Sequence, residues 1–370
     1  MTLFDGITSR LVDTGRLSVN ILERAKDDPE TPEDRTIVLV HGNVSSSLFW
    51  QELMQDLPDD LRVIAIDLRG FGGTEHAPVD ATRGVRDFSD DIHATLQALE
   101  IDRAHLVGWS LGGGVVMQYA IDHPVLSLTL QAPVSPYGFG GTRRDGSRLT
   151  EDDAGCGGGG ANPDFVRRLS EGDTTDEAPT SPRSVFRSGY VAADYETDHE
   201  DVWVASMLST STAEGNYPGD GVPSENWPGF GAGRTGVLNT MAPQYFDTSG
   251  IAGLEVKPPI LWLRGTADAI VSDASFSDVN QLGKLGIVPG WPGDAVAPPQ
   301  EMVAQTRDVL DAYRAGGGRV AEIVFDGVGH APHLERPAQF RRALLEIIGY
   351  IGHPASPAPP TEAIIISSSD

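Results

Sequence analysis

The chain has almost no cysteine: Cys156 stands alone in 370 residues. No internal disulfide can brace the fold, so stability has to come from a buried core, and a reducing compartment is the natural setting. Cys156 lies among Gly155 and Gly157 to Gly160 with no basic neighbour to lower its thiol pKa, which makes it a poor nucleophile. Lysine is nearly as scarce, with only Lys26, Lys257 and Lys284, and 27 basic side chains face 53 acidic ones for a formal charge of −26. A surface of that sign repels phosphate backbones and anionic lipid. Nucleic acid and membranes are therefore not expected partners; a small-molecule substrate is, with a homo-oligomer left open. The Asp-rich, Lys-poor balance fits either adaptation to high salt or a GC-rich genome. Membrane-length apolar runs are absent, and the N-terminus meets Arg10, Asp13 and Arg16 instead of the basic and then apolar plan of an export signal. The expectation is a soluble, cytoplasmic, acidic protein.

What is present is a rhythm of strands and helices. Residues 6–12 and 17–23 alternate in polarity around Asp13-Thr14-Gly15, as a β-hairpin does. Short apolar runs at residues 36–40, 61–66 and 104–107 suit buried parallel strands, and residues 48–57, 88–99 and 113–122 suit the intervening helices. The rhythm stops at residue 137 and resumes near 251, with a strand at 259–263, a helix at 299–315, a strand at 319–325 and a helix at 338–351. A mostly parallel α/β sheet flanked by helices follows, with core segments 1–136 and 251–352 and an inserted cap or lid at 137–250. Helices within the insertion are expected at 162–169 and 200–208. A second insertion, residues 282–298, surrounds Trp291, and the Pro- and Ser-rich residues 353–370 read as a flexible tail.

One stretch carries chemistry. Gly108-Trp109-Ser110-Leu111-Gly112 joins a strand to a helix, and the glycines leave room for a sharp turn that lifts a serine hydroxyl to the carboxyl end of the sheet. Serine is a weak nucleophile at neutral pH; it needs a base, and the base needs an orienting carboxylate. Both lie downstream, in the order Ser, Asp, His. The alternative role for Ser110 is an ordinary helix N-cap.

At these residues the chain resembles the α/β-hydrolase superfamily. The likeness rests on His41-Gly42-Asn43, Asp67-Leu68-Arg69-Gly70-Phe71-Gly72, the turn at Ser110, Gly265-Thr266-Ala267-Asp268, and the stretch from Gly329-His330 to Pro337. It implies the α/β-hydrolase fold, Ser110 as nucleophile, His330 as general base and acid, Asp268 as the residue that fixes the imidazole, and the N–H groups of Asn43 and Leu111 as the oxyanion hole. It implies no cofactor and no metal. Two departures stand out: the step of 62 positions from Asp268 to His330, and the length of the cap, whose makeup resembles that of large-cap members that open macrocyclic lactones.

Rival assignments exist for each residue. Asp273 and Asp278 are rivals to Asp268; His41 reads as structural; His333 beside His330 hints at a metal pair but lacks a third ligand. Asp198-His199-Glu200-Asp201 reads as a solvated helix start, and Asn43-Val44-Ser45 as a fortuitous sequon. Trp109, Trp203, Tyr217, Trp227 and Trp291 are candidates to line a pocket for a bulky apolar substrate, or to form the cap's own core. A serine at position 110 disfavours the alkyl-enzyme route of dehalogenases and epoxide hydrolases, which use aspartate there. Hydrolysis of a carboxylic ester or lactone is the first expectation. Acyl transfer, amide hydrolysis and carbon–carbon hydrolysis are possible with the same residues, and a non-catalytic ligand receptor is the reading from another class. The run Ala363-Ile364-Ile365-Ile366 could add a strand to a partner's sheet.

Overall fold

The computed structural model describes residues 3–350 and 364–366. The hairpin forms as read, β1 (Ile7–Asp13) antiparallel to β2 (Ser18–Arg24). Then come β3 (Thr36–Val40), α1 (Gln51–Asp56), β4 (Arg62–Ile66), α2 (Arg86–Ala98), β5 (His105–Trp109), α3 (Leu111–Asp122) and β6 (Ser127–Gln131). The insertion holds α4 (Pro163–Glu171), α5 (Pro182–Val185), a π-helical turn Phe186–Tyr190, α6 (Glu200–Leu208) and a two-stranded ribbon, β7 (Gly221–Pro223) with β8 (Phe230–Ala232). The chain then returns through β9 (Ile260–Gly265), α7 (Val279–Lys284), α8 (Met302–Ala315), β10 (Val320–Phe325), α9 (Pro332–Glu335), α10 (Pro337–Ile347) and β11 (Ile364–Ile366).

The main sheet runs β1-β2-β4-β3-β5-β6-β9-β10-β11, antiparallel over its first three strands and parallel from β4 onward. Every residue of β3, β4, β5 and β6 is buried. Parallel strands covered by helices on both faces read as unbroken apolar runs, and the first three were legible for that reason. The fourth, β6, was not: Ser127, Thr129 and Gln131 alternate with leucines like the solvent face of a half-buried strand, yet all are buried and polar. Ser127 satisfies its hydroxyl with His105 Nδ1 at 2.7 Å and Gln131 its amide with His333 Nδ1 at 2.8 Å.

Two readings change. Residues 364–366 pair in parallel with Ile323–Phe325 of the same chain, so that run extends its own sheet and not a partner's. The remainder of the segment expected to be a flexible tail lies outside the described residues. The insertion is also not packed on a core of its own: Leu169, Phe186, Tyr190, Trp203, Met207 and Tyr217 join one continuous cluster with the sheet residues, leaving only a small group around Cys156, Ala232 and Ala242 to itself. No helix among the described residues is long and apolar enough to cross a membrane.

Candidate active site

Ser110 sits between β5 and α3 with φ 56° and ψ −118°, a conformation that side chains other than glycine rarely adopt. Such strain costs of order 1–3 kcal/mol and persists only where the surroundings impose it. Here they do. The Ser110 N–H donates to Gln131 O at 3.0 Å, and its own carbonyl accepts from Gly113 and Val134 at 2.9 and 3.0 Å. A Cβ at Gly108 would collide with the Gly112 carbonyl, and one at Gly112 with the carbonyls of Val40 and His41. The glycines of the motif thus let β3 and α3 close against the bend. Ser110 itself is half-buried, whereas Trp109 and Leu111 on either side are fully buried.

Asp268 and His330 meet. Asp268 Oδ2 lies 2.8 Å from His330 Nδ1, and both side chains are buried. Asp268 Oδ1 accepts from the N–H groups of Ile270 and Val271 at 2.8 and 2.9 Å. The carboxylate is held by three donors, which fixes its orientation toward the ring. The rival acids are engaged elsewhere: Asp273 accepts from Val303 and Ala304 at the start of α8, and Asp278 caps α7 and accepts from Gln300. Trp109, the residue before Ser110, has its ring 5.6 Å from that of His330 and donates its Nε1–H to the His330 carbonyl at 2.8 Å. Among the described residues the Ser110 hydroxyl makes no hydrogen bond to the imidazole. Such contacts are commonly long or bent in free enzymes and tighten around substrate.

The turn after β3 faces the same bend, since a Cβ at Gly42 would lie 3.0 Å from Ser110 Cβ. His41 anchors that turn: its Nε2 accepts from the Leu68 N–H at 3.0 Å and its Nδ1 faces Gly42 O at 2.7 Å, while burial lowers its pKa and keeps the ring neutral. Val44 adopts φ 45°, an outlier for a β-branched residue. The backbone N–H groups of Asn43 and Leu111 carry no hydrogen bond among the described residues. Leu111 opens α3, where unpaired donors and the helix dipole both favour negative charge.

No group of three or more His, Cys, Asp or Glu placed to hold a metal ion occurs among the described residues. His333 has both ring nitrogens in use, Nδ1 accepting from Gln131 and Nε2 donating to Phe49 O at 3.2 Å, and burial pushes its pKa down to about 3. His199 and its acidic neighbours begin α6, where Glu200 and Asp201 pair with Arg183. Burial raises the Cys156 thiol far above its usual value.

The expected aromatic wall is where the structure differs most. Trp109 is wholly buried beneath the imidazole and supports it. Trp203 is fully buried and stacked on Phe49 at 5.2 Å, and Tyr217 is buried against Phe165 at 6.4 Å. Trp227 and Trp291 pack together around Gly283 and donate to Pro289 O and Ala297 O, which ties the two insertions to each other instead of to Ser110. A large apolar side chain near a site is as useful to the core as to a ligand: the core claims Trp109, Trp203 and Tyr217, while Trp227 and Trp291 stay partly exposed.

Residues that sequence reasoning passed over approach the site instead. Tyr190 donates from the insertion to the carbonyls of Asn43 and Val44, at 2.9 and 3.0 Å. Glu335 accepts from the N–H groups of Gly329 and Ala192 at 2.9 and 3.0 Å, and burial pushes its pKa up to about 7. Glu335 stood inside a quoted motif; nothing in the sequence distinguished Tyr190 from the other scattered aromatics. A surface cleft of about 580 Å³ lies among Arg10, Glu23, Arg24, Asp27 and Arg62, beside the start of β4 and so at the end of the sheet opposite Ser110. Its charges are already paired with one another.

Residues 35–149 match a family model described as alpha/beta hydrolase fold. A fluoroacetate dehalogenase from Burkholderia sp is 30% identical over 140 residues, 36% of this chain and 44% of the relative. A 2-hydroxymuconate semialdehyde hydrolase from Pseudomonas sp is 40% identical over 91 residues, 24% of this chain and 32% of the relative. The chain thus spans less than half the length of these curated relatives. A crystal structure of a putative aryl esterase from Burkholderia cenocepacia superposes with a TM-score of 0.57 at 20% identity, covering 92% of this chain and 98% of that one, and so shares the fold.

Proposed function

Since the chain belongs to the α/β-hydrolase superfamily, we propose that it is a serine hydrolase cleaving a carboxylic ester or lactone of a small molecule through an acyl-enzyme on Ser110. The observation that supports this most is the buried 2.8 Å contact of His330 with a carboxylate held by two backbone N–H groups, together with a strained, half-buried serine whose neighbour Trp109 donates to the His330 carbonyl. In this reading His330 Nε2 takes the Ser110 proton as Oγ attacks the carbonyl carbon. Asp268 keeps the Nδ1–H tautomer and stabilises the imidazolium, and the N–H groups of Asn43 and Leu111 receive the developing oxyanion. His330 then protonates the departing alkoxide. A water, deprotonated by the same ring, attacks the acyl-enzyme and releases the acid.

Of the tryptophans expected to border a bulky substrate, Trp109 and Trp203 lie in the core and Trp227 and Trp291 pack against each other. The rings of Phe49, Trp109 and Tyr190 near the imidazole are buried as well and give the site an apolar support, not a lining open to substrate. The likeness to a 2-hydroxymuconate semialdehyde hydrolase favours hydrolysis of a carbon–carbon bond beside a carbonyl as the second reading. Position 110 distinguishes both from an alkyl-enzyme mechanism, which requires a carboxylate there. The test is Ser110→Ala assayed on p-nitrophenyl esters and lactones: activity should fall by about 10⁴-fold or more with the thermal transition unchanged, and fluorophosphonate labelling should vanish. Turnover at the wild-type rate would remove the serine from the mechanism, and a wild-type chain that neither labels nor turns over would point to a receptor.

A further inference from the structure

Within the insertion, four consecutive residues touch the three loops that carry the proposed chemistry. Gly189 faces the Ile270 side chain, at 3.7 Å for a Cβ placed on it, and the Ile270 N–H is one of the donors that hold Asp268. Tyr190 next spans to the turn after β3, where its phenol donates to Asn43 O and Val44 O. The backbone of Val191 and Ala192 lies directly on Gly329, the residue before His330, so closely that a Cβ there would come within 2.7 Å of the Val191 carbonyl carbon. Glu335 fastens this last contact with one carboxylate oxygen on the Gly329 N–H and the other on that of Ala192. The Tyr190 ring stands edge-on to both Trp109 and His330, with centroids 5.6 and 6.3 Å away.

The turn that Tyr190 grips is the one with a backbone conformation needing outside support, because Val44 adopts φ 45°. A carbonyl that accepts a hydrogen bond fixes the plane of its peptide. The carbonyl of Asn43 is linked through Asn43's own backbone to the N–H aimed at the oxyanion, so holding the two carbonyls limits the swing of that donor. Gly189 and Tyr190 end a π-helical turn, Phe186–Tyr190, a rare geometry found mostly as single turns and frequently at functional sites.

We propose that residues 189–192 form a strap binding the acid, oxyanion and histidine loops into one geometry, with Tyr190 the positioning residue that sets the Asn43 N–H and Glu335 the clasp that ties the strap to the histidine loop. This rests on the serine-hydrolase reading. It assigns the insertion a role in the reaction itself, apart from any contact with substrate: the donors are preorganised by a segment that lies far from them in the chain.

The test compares wild type with Tyr190→Phe, which keeps the ring and loses only the hydroxyl. On p-nitrophenyl butyrate the variant should lose about 10- to 100-fold in kcat while KM stays within about twofold. Affinity for phenylboronic acid, which forms a tetrahedral adduct on serine, should fall in parallel with kcat. The rate constant for fluorophosphonate labelling should fall as well; it is a property of folded molecules, so a partly unfolded preparation alters the labelled fraction and not the rate. Glu335→Gln should reproduce the loss in kcat more weakly, since one of its two N–H partners is left facing an amide. Unchanged kcat and labelling in Tyr190→Phe, or a change confined to KM, overturns the strap while leaving the serine mechanism intact. Absence of labelling in the wild type overturns both.

Discussion

The carboxyl edge of the sheet and the insertion between β6 and β9 contribute to the site by different physical means. The edge supplies the proposed reacting groups from the ends of regular structure: Ser110 at the end of β5, Asp268 three residues past β9, His330 five past β10. Asp268 is held by the nearby N–H groups of Ile270 and Val271, and Ser110 by backbone bonds to Gln131, Gly113 and Val134. The insertion supplies short helices and a small ribbon, and its links to the edge include single long-range hydrogen bonds, such as the Tyr190 phenol on the carbonyls of Asn43 and Val44 and the Ser206 hydroxyl paired with that of Ser46 at 2.6 Å. In the proposed reading one region defines what can react and the other how steadily the parts are held.

The sharpest way to break that division is to change an edge residue and look for loss of chemistry without loss of fold. Asp268→Asn keeps shape and size but removes the charge that orients the ring, and kcat on aryl esters should fall about 10⁴-fold. Because its Oδ1 can still accept from Ile270 and Val271, calorimetry should show a transition near that of wild type. A loss of activity matched by unfolding would mean that the edge is structural too.

Next in size is a change inside the insertion. Trp203, fully buried and stacked on Phe49, ties α6 to the turn before α1. Trp203→Ala should cost about 3–5 kcal/mol. If the insertion shares the core of the sheet, the transition measured by calorimetry stays single and moves as a whole. Two separated transitions, with the sheet's unmoved, would show the insertion to be an independent body.

The smallest effect concerns pH, and it lies at α9, where the edge clasps the insertion through Glu335. Glu335 titrates near 7 in the fold, raised by burial and by Asp194 and lowered by the N–H groups of Ala192 and Gly329 and by Arg336. The native state therefore binds more protons than the unfolded chain between its ordinary value of 4.5 and about 7, and this contribution to stability is full below 4.5 and lost as pH rises to 7. His333, pushed down to about 3, has the opposite sign: its contribution is full above 6.5 and falls as pH drops toward 3. Between about pH 4.5 and 6.5 the two offset. Melting temperatures of Glu335→Gln across that range should therefore decline more steeply toward acid than those of wild type. Parallel curves would show that Glu335 does not titrate there.

Much of the edge was legible in the sequence because its signals are local. A Gly-x-Ser-x-Gly between a five-residue apolar run and a helix admits few backbone paths, and β3, β4 and β5 announced themselves by unbroken burial. Less local features were not. Strand β6 hid because its polar residues are buried, two of them, Ser127 and Gln131, finding partners in His105 and His333 far away in the chain. Three of the aromatics expected at the pocket, Trp109, Trp203 and Tyr217, went to the core, since burial of apolar area rewards either place equally. The strand at 364–366 joined its own β10 instead of a partner, because an exposed edge accepts whichever chain reaches it.

The turns after β3 and β5, with a serine bent outward and an acid and a histidine following in sequence, were thus determined by spacing and residue type alone, through the steric limits on short turns. Only the tertiary structure decided that Tyr190 reaches the carbonyls of Asn43 and Val44 and that Glu335 joins Gly329 to Ala192. Those bonds end on backbone groups, which every residue possesses alike, so no side-chain pattern along the chain can mark where they will form.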